Sequence, residues 1–348
     1  MKKTISLLLT LALAVSAFAA CGGGASSSSS VPTVSVPSDA VIMQQDSPDR
    51  VSFNVAALNG PTAMGLIKLM NDTKTDATIN QYNVTTYGAA DEFTAQLVKG
   101  EIDVALIPCN LASVLYNKTK GAIQIAAVNT LGVLQMISAD TSVKTIADLK
   151  GRTIYATGKG TTPEYVLNYL LTQNGIDPEK DVTIEYATEA AAVVTSLQQS
   201  VDATAVAMLP QPYATTALMQ NEGYATVLDL TKEWNAVSDG TDLVTGVVVA
   251  QKSFIEANPE AFKTFLEEYK GSVDYVLANT ADAAQMIADF GIVAKAAVAE
   301  KALPQCNITF LTGKEMKSNV AAYLQVLFDQ NPEAVGGTLP ADDFYYGA

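Results

Sequence analysis

Short apolar runs alternate with stretches of helical periodicity from residue 51 to the end of the chain. The apolar runs predict strands at residues 51–58, 102–107, 123–128, 153–156, 182–186, 205–209 and 243–250. Helices are predicted at residues 61–70 and 163–173, and the chain after residue 250 has helical spacing. Thr312 and Glu315 have the spacing of a capping box that opens the last helix. This alternation predicts an α/β fold in which mixed sheets are flanked by helices.

A weak internal similarity indicates two related halves. Residues 97–108 and 197–210 both contain the end of a predicted helix, followed by a strand that ends at a proline. The spacing inside the two copies differs by two residues. The similarity is therefore architectural, and it predicts two lobes. The returning strand near residue 243 and the helices after it predict that the end of the chain completes the first lobe. We expect lobe 1 to comprise residues 51–131 and 246–348, and lobe 2 to comprise residues 132–245.

The N-terminal segment has the layout of an export signal. Lys2 and Lys3 precede an apolar stretch over residues 5–20, which is shorter than the roughly 20 residues that a membrane-spanning helix needs. Residues 1–20 are therefore predicted to be a signal peptide.

The residues around Cys21 resemble the cleavage box of bacterial lipoproteins. Small residues directly precede the Cys, which in such proteins is lipidated and becomes the mature N-terminus; Phe18 stands where that box usually has Leu. Residues 21–50 begin with a run of Gly and Ser and are predicted to form a tether. An ordinary signal peptide with an incidental Cys is the alternative. We expect an exported, extracytoplasmic protein that is lipid-anchored to the bacterial cell membrane.

The amino-acid composition argues against several classes of function. The formal net charge is −15, which gives no electrostatic basis for binding nucleic acid. The chain contains no histidine, so Ser-His-Asp and Cys-His catalytic systems and His metal sites are excluded. Nothing indicates a catalytic residue, a metal or a cofactor. Cys109 and Cys306 could form one disulfide, but free buried thiols are the favoured interpretation.

Four predicted strands are each followed by a loop that opens a helix. Three of these loops are predicted to place Pro61, Pro163 and Pro212 at the first helical position, and the fourth contains Asn110. Helix N-termini that follow parallel strands present free N–H groups at one edge of a sheet. The convergence of four such loops on two lobes predicts a ligand cleft between the lobes.

The loop at residues 158–162 has the sequence GKGTT, which lacks the spacing of a nucleotide phosphate loop. It is better interpreted as a Gly-rich turn with hydroxyl groups at a helix start. We expect either Thr161 or Thr162 to cap the helix by accepting a backbone N–H, which leaves the other hydroxyl free to face the cleft. Lys159 is the one cation that these loops offer to an anionic ligand.

Four segments together resemble the substrate-binding proteins of ABC transporters. They are residues 58–66 (LNGPTAMGL), 148–154 (DLKGRTI), 156–165 (ATGKGTTPEY) and 208–213 (MLPQPY). The resemblance is to the branch with nitrate, sulfonate, taurine and thiamine-precursor receptors. It implies a two-lobed periplasmic-binding-protein fold of the two-crossover type, in which hinged lobes enclose a solute. The residues that match ligand-contacting loops of this family are Asn59, Thr62, Asn110, Gly160, Thr161, Thr162 and Gln211, with Tyr165 and Tyr213 nearby.

The resemblance also implies partners. A receptor of this kind, expected to be a monomer, would bind a small molecule and deliver it to an ABC permease and its ATPase. One alternative is an enzyme similar to the thiamine-pyrimidine synthase on a related fold, against which the lack of histidine argues. The other is a lipoprotein that senses a ligand without transporting it. The ligand itself stays open among the solutes of the family.

Overall fold

A computed structural model describes residues 50–348 of the chain. The predicted signal peptide, the lipidation site Cys21 and almost all of the tether lie outside the described residues. None of the described helices has both the length and the apolar character needed to cross a membrane.

Eleven strands and thirteen α-helices follow one another along the described residues. The strands are β1 Ser52–Leu58, β2 Gln81–Tyr87, β3 Val104–Pro108, β4 Ile123–Thr130, β5 Leu134–Ser138, β6 Thr153–Thr157, β7 Thr183–Ala187, β8 Val206–Pro210, β9 Ala225–Asp229, β10 Gly246–Gln251 and β11 Ile308–Leu311. The helices are α1 Pro61–Met64, α2 Ile67–Lys74, α3 Asp91–Lys99, α4 Cys109–Thr119, α5 Thr162–Gln173, α6 Ala190–Gln199, α7 Tyr213–Gln220, α8 Leu230–Val237, α9 Lys252–Ala257, α10 Pro259–Ala278, α11 Thr280–Asp289, α12 Ala296–Ala302 and α13 Gly313–Gln330. Short 3₁₀ helices lie at Ile146–Leu149, Leu303–Gln305, Pro332–Val335 and Asp342–Phe344.

The strands form two mixed sheets. The first has the order β11-β4-β10-β3-β1-β2, and the second has the order β7-β6-β8-β5-β9. In the first sheet β1 is parallel to β2 and β3, whereas β10 is antiparallel to both β3 and β4. In the second, β6 is parallel to β7 and β8, whereas β5 is antiparallel to β8 and β9. This is the predicted α/β class with two lobes, each a mixed sheet flanked by helices.

The two sheets share one local arrangement, which accounts for the internal similarity in the sequence. β3 and β8 both end on a Pro, and each lies between a parallel strand and an antiparallel strand. The antiparallel neighbour comes from a different part of the chain in each case, β10 in the first sheet and β5 in the second. The chain thus leaves the first sheet after β4, forms the second sheet from β5 to β9, and returns at β10.

The central strands of the first sheet are almost completely buried and form the core of this lobe. All six residues of β10 are buried, because helices cover both faces of this sheet. On one face Phe53 of β1 stacks on Phe265 of α10, with 5.5 Å between the ring centroids. Both side chains are fully buried, and burial of one such ring contributes about 1.5–3 kcal/mol.

A second apolar cluster joins the two lobes. Tyr323 of α13 follows the first sheet's last strand, and its ring lies 5.7 Å from that of Trp234 in α8, whose preceding strand belongs to the second sheet. Both rings are fully buried, and the Trp234 indole N–H donates to the carbonyl of Thr241 at 2.8 Å. The C-terminal helix α13 therefore packs on both lobes.

Several sequence predictions differ from the structure. The helix predicted at residues 61–70 is two helices, which break at Gly65 and Leu66. At this break the Ser272 hydroxyl of α10 accepts from the backbone N–H of Leu69 at 3.1 Å and donates to the carbonyl of Gly65 at 2.7 Å, in place of a helical hydrogen bond between these two residues. β2, β5, β9 and β11 were not predicted, and β11 interrupts the stretch assigned to helices.

The capping box predicted at the last helix is not formed. Thr312 occupies the N-cap position of α13, but its side chain makes no capping hydrogen bond. The prediction was wrong because the spacing alone does not orient the side chains. A capping box is instead formed at Thr145 and Asp148, at the start of the 3₁₀ helix Ile146–Leu149.

The cysteines and the predicted end of α5 agree with the sequence predictions. Cys109 and Cys306 are both free and buried. Burial raises the pKa of the Cys306 thiol to about 12 and that of Cys109 still further. α5 ends at Asn174 and Gly175; Gly175 has a φ of +73°, which favours glycine.

Candidate functional site

Four helices begin where strands of the two sheets end. α1 follows β1 and α4 follows β3 in lobe 1, while α5 follows β6 and α7 follows β8 in lobe 2. The four strands end at the carboxyl edges of their sheets, since β1 is parallel to β3 and β6 is parallel to β8. Side chains on these helix starts are therefore placed where α/β proteins bind ligands.

A direct hydrogen bond joins the two lobes at the starts of α4 and α5. The Thr162 hydroxyl of lobe 2 donates to Oδ1 of Asn110 in lobe 1 at 3.0 Å. Both residues are buried, and the hydroxyl of the buried Tyr323 lies 3.4 Å from that of Thr162. Nδ2 of Asn110 points to the carbonyl of Ala334 at 3.4 Å. The structure thus brings two of the predicted site residues together, in contact with each other.

Neither threonine caps α5, so that prediction was wrong. Thr161 is the N-cap residue, but its hydroxyl donates to the carbonyl of Gly158 at 2.7 Å and accepts no backbone N–H. Thr162 is already the first helical residue, and its hydroxyl is engaged with Asn110. The turn has positive φ at Gly158 and Gly160, which favours glycine at both positions.

The start of α5 already carries a negative charge. The N–H of Gly160 donates to Oε2 of Glu164 at 2.5 Å, so a carboxylate lies at the positive end of the helix dipole. Lys159 is exposed, and its Nζ lies 5.8 Å from the ring centroid of Tyr186. This helix start is consequently a poor site for an anionic ligand.

The remaining predicted residues have different surroundings. Asn59 is exposed directly after β1, and its backbone N–H donates to the carbonyl of Tyr87 at 2.8 Å. Thr62 uses its hydroxyl within the same turn, donating to the carbonyl of Leu58 at 3.2 Å. Tyr165 is half-buried. The pKa of its hydroxyl is raised mainly by burial and to a smaller extent by the negative charge of Glu164.

α7 begins one residue later than predicted. Pro212 is its N-cap residue rather than its first helical residue, and the peptide bond before it is cis. The Gln211 side chain caps the helix instead: its Oε1 accepts from the backbone N–H of Thr215 at 3.3 Å and from the Thr215 hydroxyl at 2.8 Å. The Gln211 side chain is only 2% exposed, whereas Tyr213 is 40% exposed.

A cavity of about 620 Å³ lies beside Gln211. Its walls are α7, β5, β9 and the start of α8 from lobe 2, and the end of α12 with the following 3₁₀ helix from lobe 1. The lining residues are Gln135, Gln211, Thr215, Leu218, Met219, Glu222, Thr226, Asp229, Lys232, Lys301 and Gln305. Among the predicted site residues, Gln211 is the one that lines this cavity.

A second contact between the lobes closes one wall of the cavity. Nε2 of Gln135 in β5 donates to Oε1 of Gln305 at 3.2 Å, and Oε1 of Gln135 accepts from the Thr226 hydroxyl at 3.2 Å. Gln135 is 7% exposed, so its amide is held by both partners. The cavity is therefore lined by both lobes, and it is open to solvent on one side.

Four charged side chains reach the cavity. Asp229 and Lys232 form an ion pair, with 3.5 Å between Oδ2 and Nζ. Glu222 and Lys301 also line the cavity, and neither has an ion-pair partner within residues 50–348. Lys159 does not line this cavity, whose two lysines are Lys232 and Lys301.

Sequence reasoning missed most of the cavity. Gln135 lies in a strand that was not predicted, and Lys301 and Gln305 come from the C-terminal part, more than 160 residues later in the chain. No short motif marks these positions. Knowledge that the C-terminal helices complete lobe 1 was the one available signal.

Comparisons with known proteins agree with this architecture. Residues 124–283 match a family model described as NMT1/THI5 like. The crystal structure of an ABC transporter protein from Parabacteroides distasonis superposes with a TM-score of 0.71 and 24% identity, covering 85% of this chain and 99% of that chain. Among curated protein sequences, none matches the chain significantly.

Two further solved structures have named ligands. The periplasmic aliphatic sulphonate binding protein of Escherichia coli gives a TM-score of 0.67 and 18% identity, over 84% of this chain and 96% of that chain. The periplasmic nitrate-binding protein of Synechocystis gives a TM-score of 0.59 and 14% identity, over 84% of this chain and 83% of that chain. The chain has the periplasmic-binding-protein fold. The fold that the resemblance implies is thereby confirmed, and the cavity beside Gln211 lies between its two lobes.

Proposed function

We propose that the chain is the solute-binding receptor of an ABC importer and not an enzyme. It captures a small solute between its lobes and delivers it to a permease. The observation that carries this proposal is the cavity of about 620 Å³, which is built by residues of both lobes. Its volume is in the range of roughly 300–1,000 Å³ typical of small-molecule sites. The absence of histidine from the whole chain supports a binding role over catalysis.

The lobes meet the mechanical requirement of such a receptor. Two strand connections join them, residues 131–133 and the segment before β10, and they run side by side because the N–H of Thr245 donates to the carbonyl of Thr130 at 3.0 Å. Bending at these connections would open the cavity. Closure is then stabilised by the bonds between Asn110 and Thr162 and between Gln135 and Gln305.

The domain boundaries and the anchor are part of this proposal. Lobe 1 consists of residues 51–131 and 246–348, and lobe 2 consists of residues 132–245. A signal peptide at residues 1–20 exports the chain, and lipid on Cys21 holds it at the outer side of the membrane through the tether. The proposed partners are the permease and its ATPase, and the receptor itself acts as a monomer.

The site residues are proposed to divide into two groups. Gln211 contacts the solute, and Asn59, Gly160, Thr161, Tyr165 and Tyr213 surround the mouth of the cleft. Asn110 and Thr162 act as a latch between the lobes, because each already uses its polar group on the other. Thr62 supports the start of α1.

A thermal-shift screen tests the function. A receptor bound at a hundredfold excess over its dissociation constant gains about 2.7 kcal/mol of stability, which raises the melting temperature by several degrees. We expect one chemical class among sulfonates, nitrate, aminopyrimidines, amino acids and short peptides to give this shift. The bound protein should also have a smaller radius of gyration in solution scattering. A flat response to every class would contradict the receptor function.

A further inference from the structure

We infer that the cavity beside Gln211 binds a solute that carries both an ammonium and a carboxylate group, such as an amino acid or a short peptide. This inference rests on the proposed receptor function and names the class of solute. It follows from the unpaired N–H group of the Gln211 amide, from the charged residues that line the cavity and from the lack of aromatic and guanidinium groups in this lining.

Gln211 presents a hydrogen-bond donor that has no partner in the described part of the chain. Because the backbone N–H of Thr215 donates to this amide, the atom that faces Thr215 must be the oxygen, which turns Nε2 away from α7. Nε2 has no acceptor among residues 50–348, although the side chain is only 2% exposed. Because Gln211 lines the cavity, this N–H pair is available to an acceptor oxygen of the solute.

The charges of the cavity are balanced. Asp229 and Lys232 neutralise each other in their ion pair. Glu222 on the lobe 2 side and Lys301 on the lobe 1 side stay without a counter-ion in the described part of the chain. A solute with a single negative charge would gain from Lys301 but would be repelled by Glu222. A solute with separated opposite charges satisfies both, its ammonium facing Glu222 and its carboxylate facing Lys301 and Gln211.

The lining also disfavours other solutes. No aromatic ring and no guanidinium group is among the residues that line the cavity. A flat heteroaromatic ring would find no stacking surface, and an oxyanion would find no bidentate partner. The aliphatic side chains of Leu218 and Met219 offer a small apolar wall instead. These features fit the aliphatic body of an amino acid or a short peptide.

Titration calorimetry on the purified protein tests the inference. The probes are the free amino acids and glycyl dipeptides, with nitrate, ethanesulfonate and an aminopyrimidine for comparison. We expect saturable binding of an amino acid or dipeptide with one site per chain. Acetylation of its amino group or amidation of its carboxyl group should each weaken binding several-fold, since each removes one of the two charges that face Glu222 and Lys301.

Variants locate the binding in this cavity. Gln211→Glu keeps the oxygen that Thr215 needs but removes the N–H donor, and we expect it to weaken binding about tenfold or more. Gln220→Glu makes the same change on the same helix, at an exposed position outside the cavity, and should leave binding unchanged. Lys301 is exposed, so Lys301→Gln folds normally, and it should weaken binding of the zwitterion several-fold.

The outcomes separate this inference from the function. If nitrate, ethanesulfonate or the aminopyrimidine binds and no zwitterion does, the receptor function stands and the inferred solute class is wrong. If a zwitterion binds but Gln211→Glu and Lys301→Gln bind it as tightly as Gln220→Glu, the site lies elsewhere and the inference is overturned. If no probe of any class binds, the receptor function and the inference both fail.

Discussion

Replacing Thr162 by Val deletes the hydroxyl that joins the two lobes and keeps the shape of the side chain. In the native structure this hydroxyl donates to Asn110 at 3.0 Å, and both residues are more than nine-tenths buried. The change leaves Oδ1 of Asn110 without a donor. An unpaired buried acceptor costs about 1–3 kcal/mol, and we expect Thr162→Val to lower the free energy of unfolding by this amount.

A double-mutant cycle isolates the contact. Asn110→Ala should lower stability as well, but the two changes together should cost less than their sum by about 0.5–3 kcal/mol, because they remove one shared bond. The matched control is Thr161→Val. Its hydroxyl is exposed and bonds within its own loop to Gly158, so its effect should be under about 1 kcal/mol and additive with Asn110→Ala.

Solution scattering reports the mechanical consequence. Loss of 1–3 kcal/mol from the closed form shifts the balance of closed and open lobes by about 5- to 150-fold. The solute-free Thr162→Val protein should then have a larger radius of gyration than the wild type, and it should bind solute more weakly because fewer molecules are competent. Additive free energies in urea denaturation, within about 0.5 kcal/mol, would refute the latch.

Three further changes test other parts of the account. Gly246→Ala places a Cβ 2.5 Å from the Thr62 side chain, so it should lower the free energy of unfolding in urea by about 1–3 kcal/mol. The control Gly271→Ala has open space around it in α10 and should raise the free energy of unfolding by up to about 1 kcal/mol. Equal effects of the two changes would contradict the packing described around Gly246. Hydrogen bonds from Ser142 and then Arg152 lower the pKa of Asp140 to about 2, so its stabilisation is present above about pH 4 and is lost as the pH falls toward 2. Asp140→Asn should therefore unfold with a weaker dependence on pH in this window, and an unchanged dependence would argue against it. Cys21→Ser should abolish membrane association in fractionated cells, and a variant that stays in the membrane fraction would exclude lipid anchoring.

The sequence predicted the fold well because fold class depends on features that repeat along the chain. Alternating strands and helices, and Pro exits after β3 and β8, were enough to predict two similar lobes. Three of the four missed strands, β2, β9 and β11, lie at sheet edges, and β9 for example is only partly buried; the fourth, β5, is a fully buried inner strand. The helix predicted through Gly65 is interrupted where the Ser272 hydroxyl of α10, far away in sequence, bonds to Leu69 and Gly65. Local periodicity contains no information about such contacts.

The site was predicted less completely than the fold. Asn110 and Thr162 were correctly expected to lie at helix starts, but their mutual bond depends on how the lobes meet. The capping prediction failed at Thr161, because a free carbonyl of Gly158 lies nearer to its hydroxyl than a helical N–H does. Lys301 and Gln305 could not be predicted as cavity residues, because they reach it only when α12 packs against α7.

Hydrogen exchange with and without a saturating solute tests the central claim most directly. If the solute lies between the lobes, its binding should slow amide exchange at the start of α7, around Gln211 and Thr215, and at the same time around Lys301 and Gln305. These two segments belong to different lobes and border the same cavity. Protection in both segments at the same solute concentration is the predicted result. Protection confined to one lobe, or to neither, would contradict capture of the solute between them.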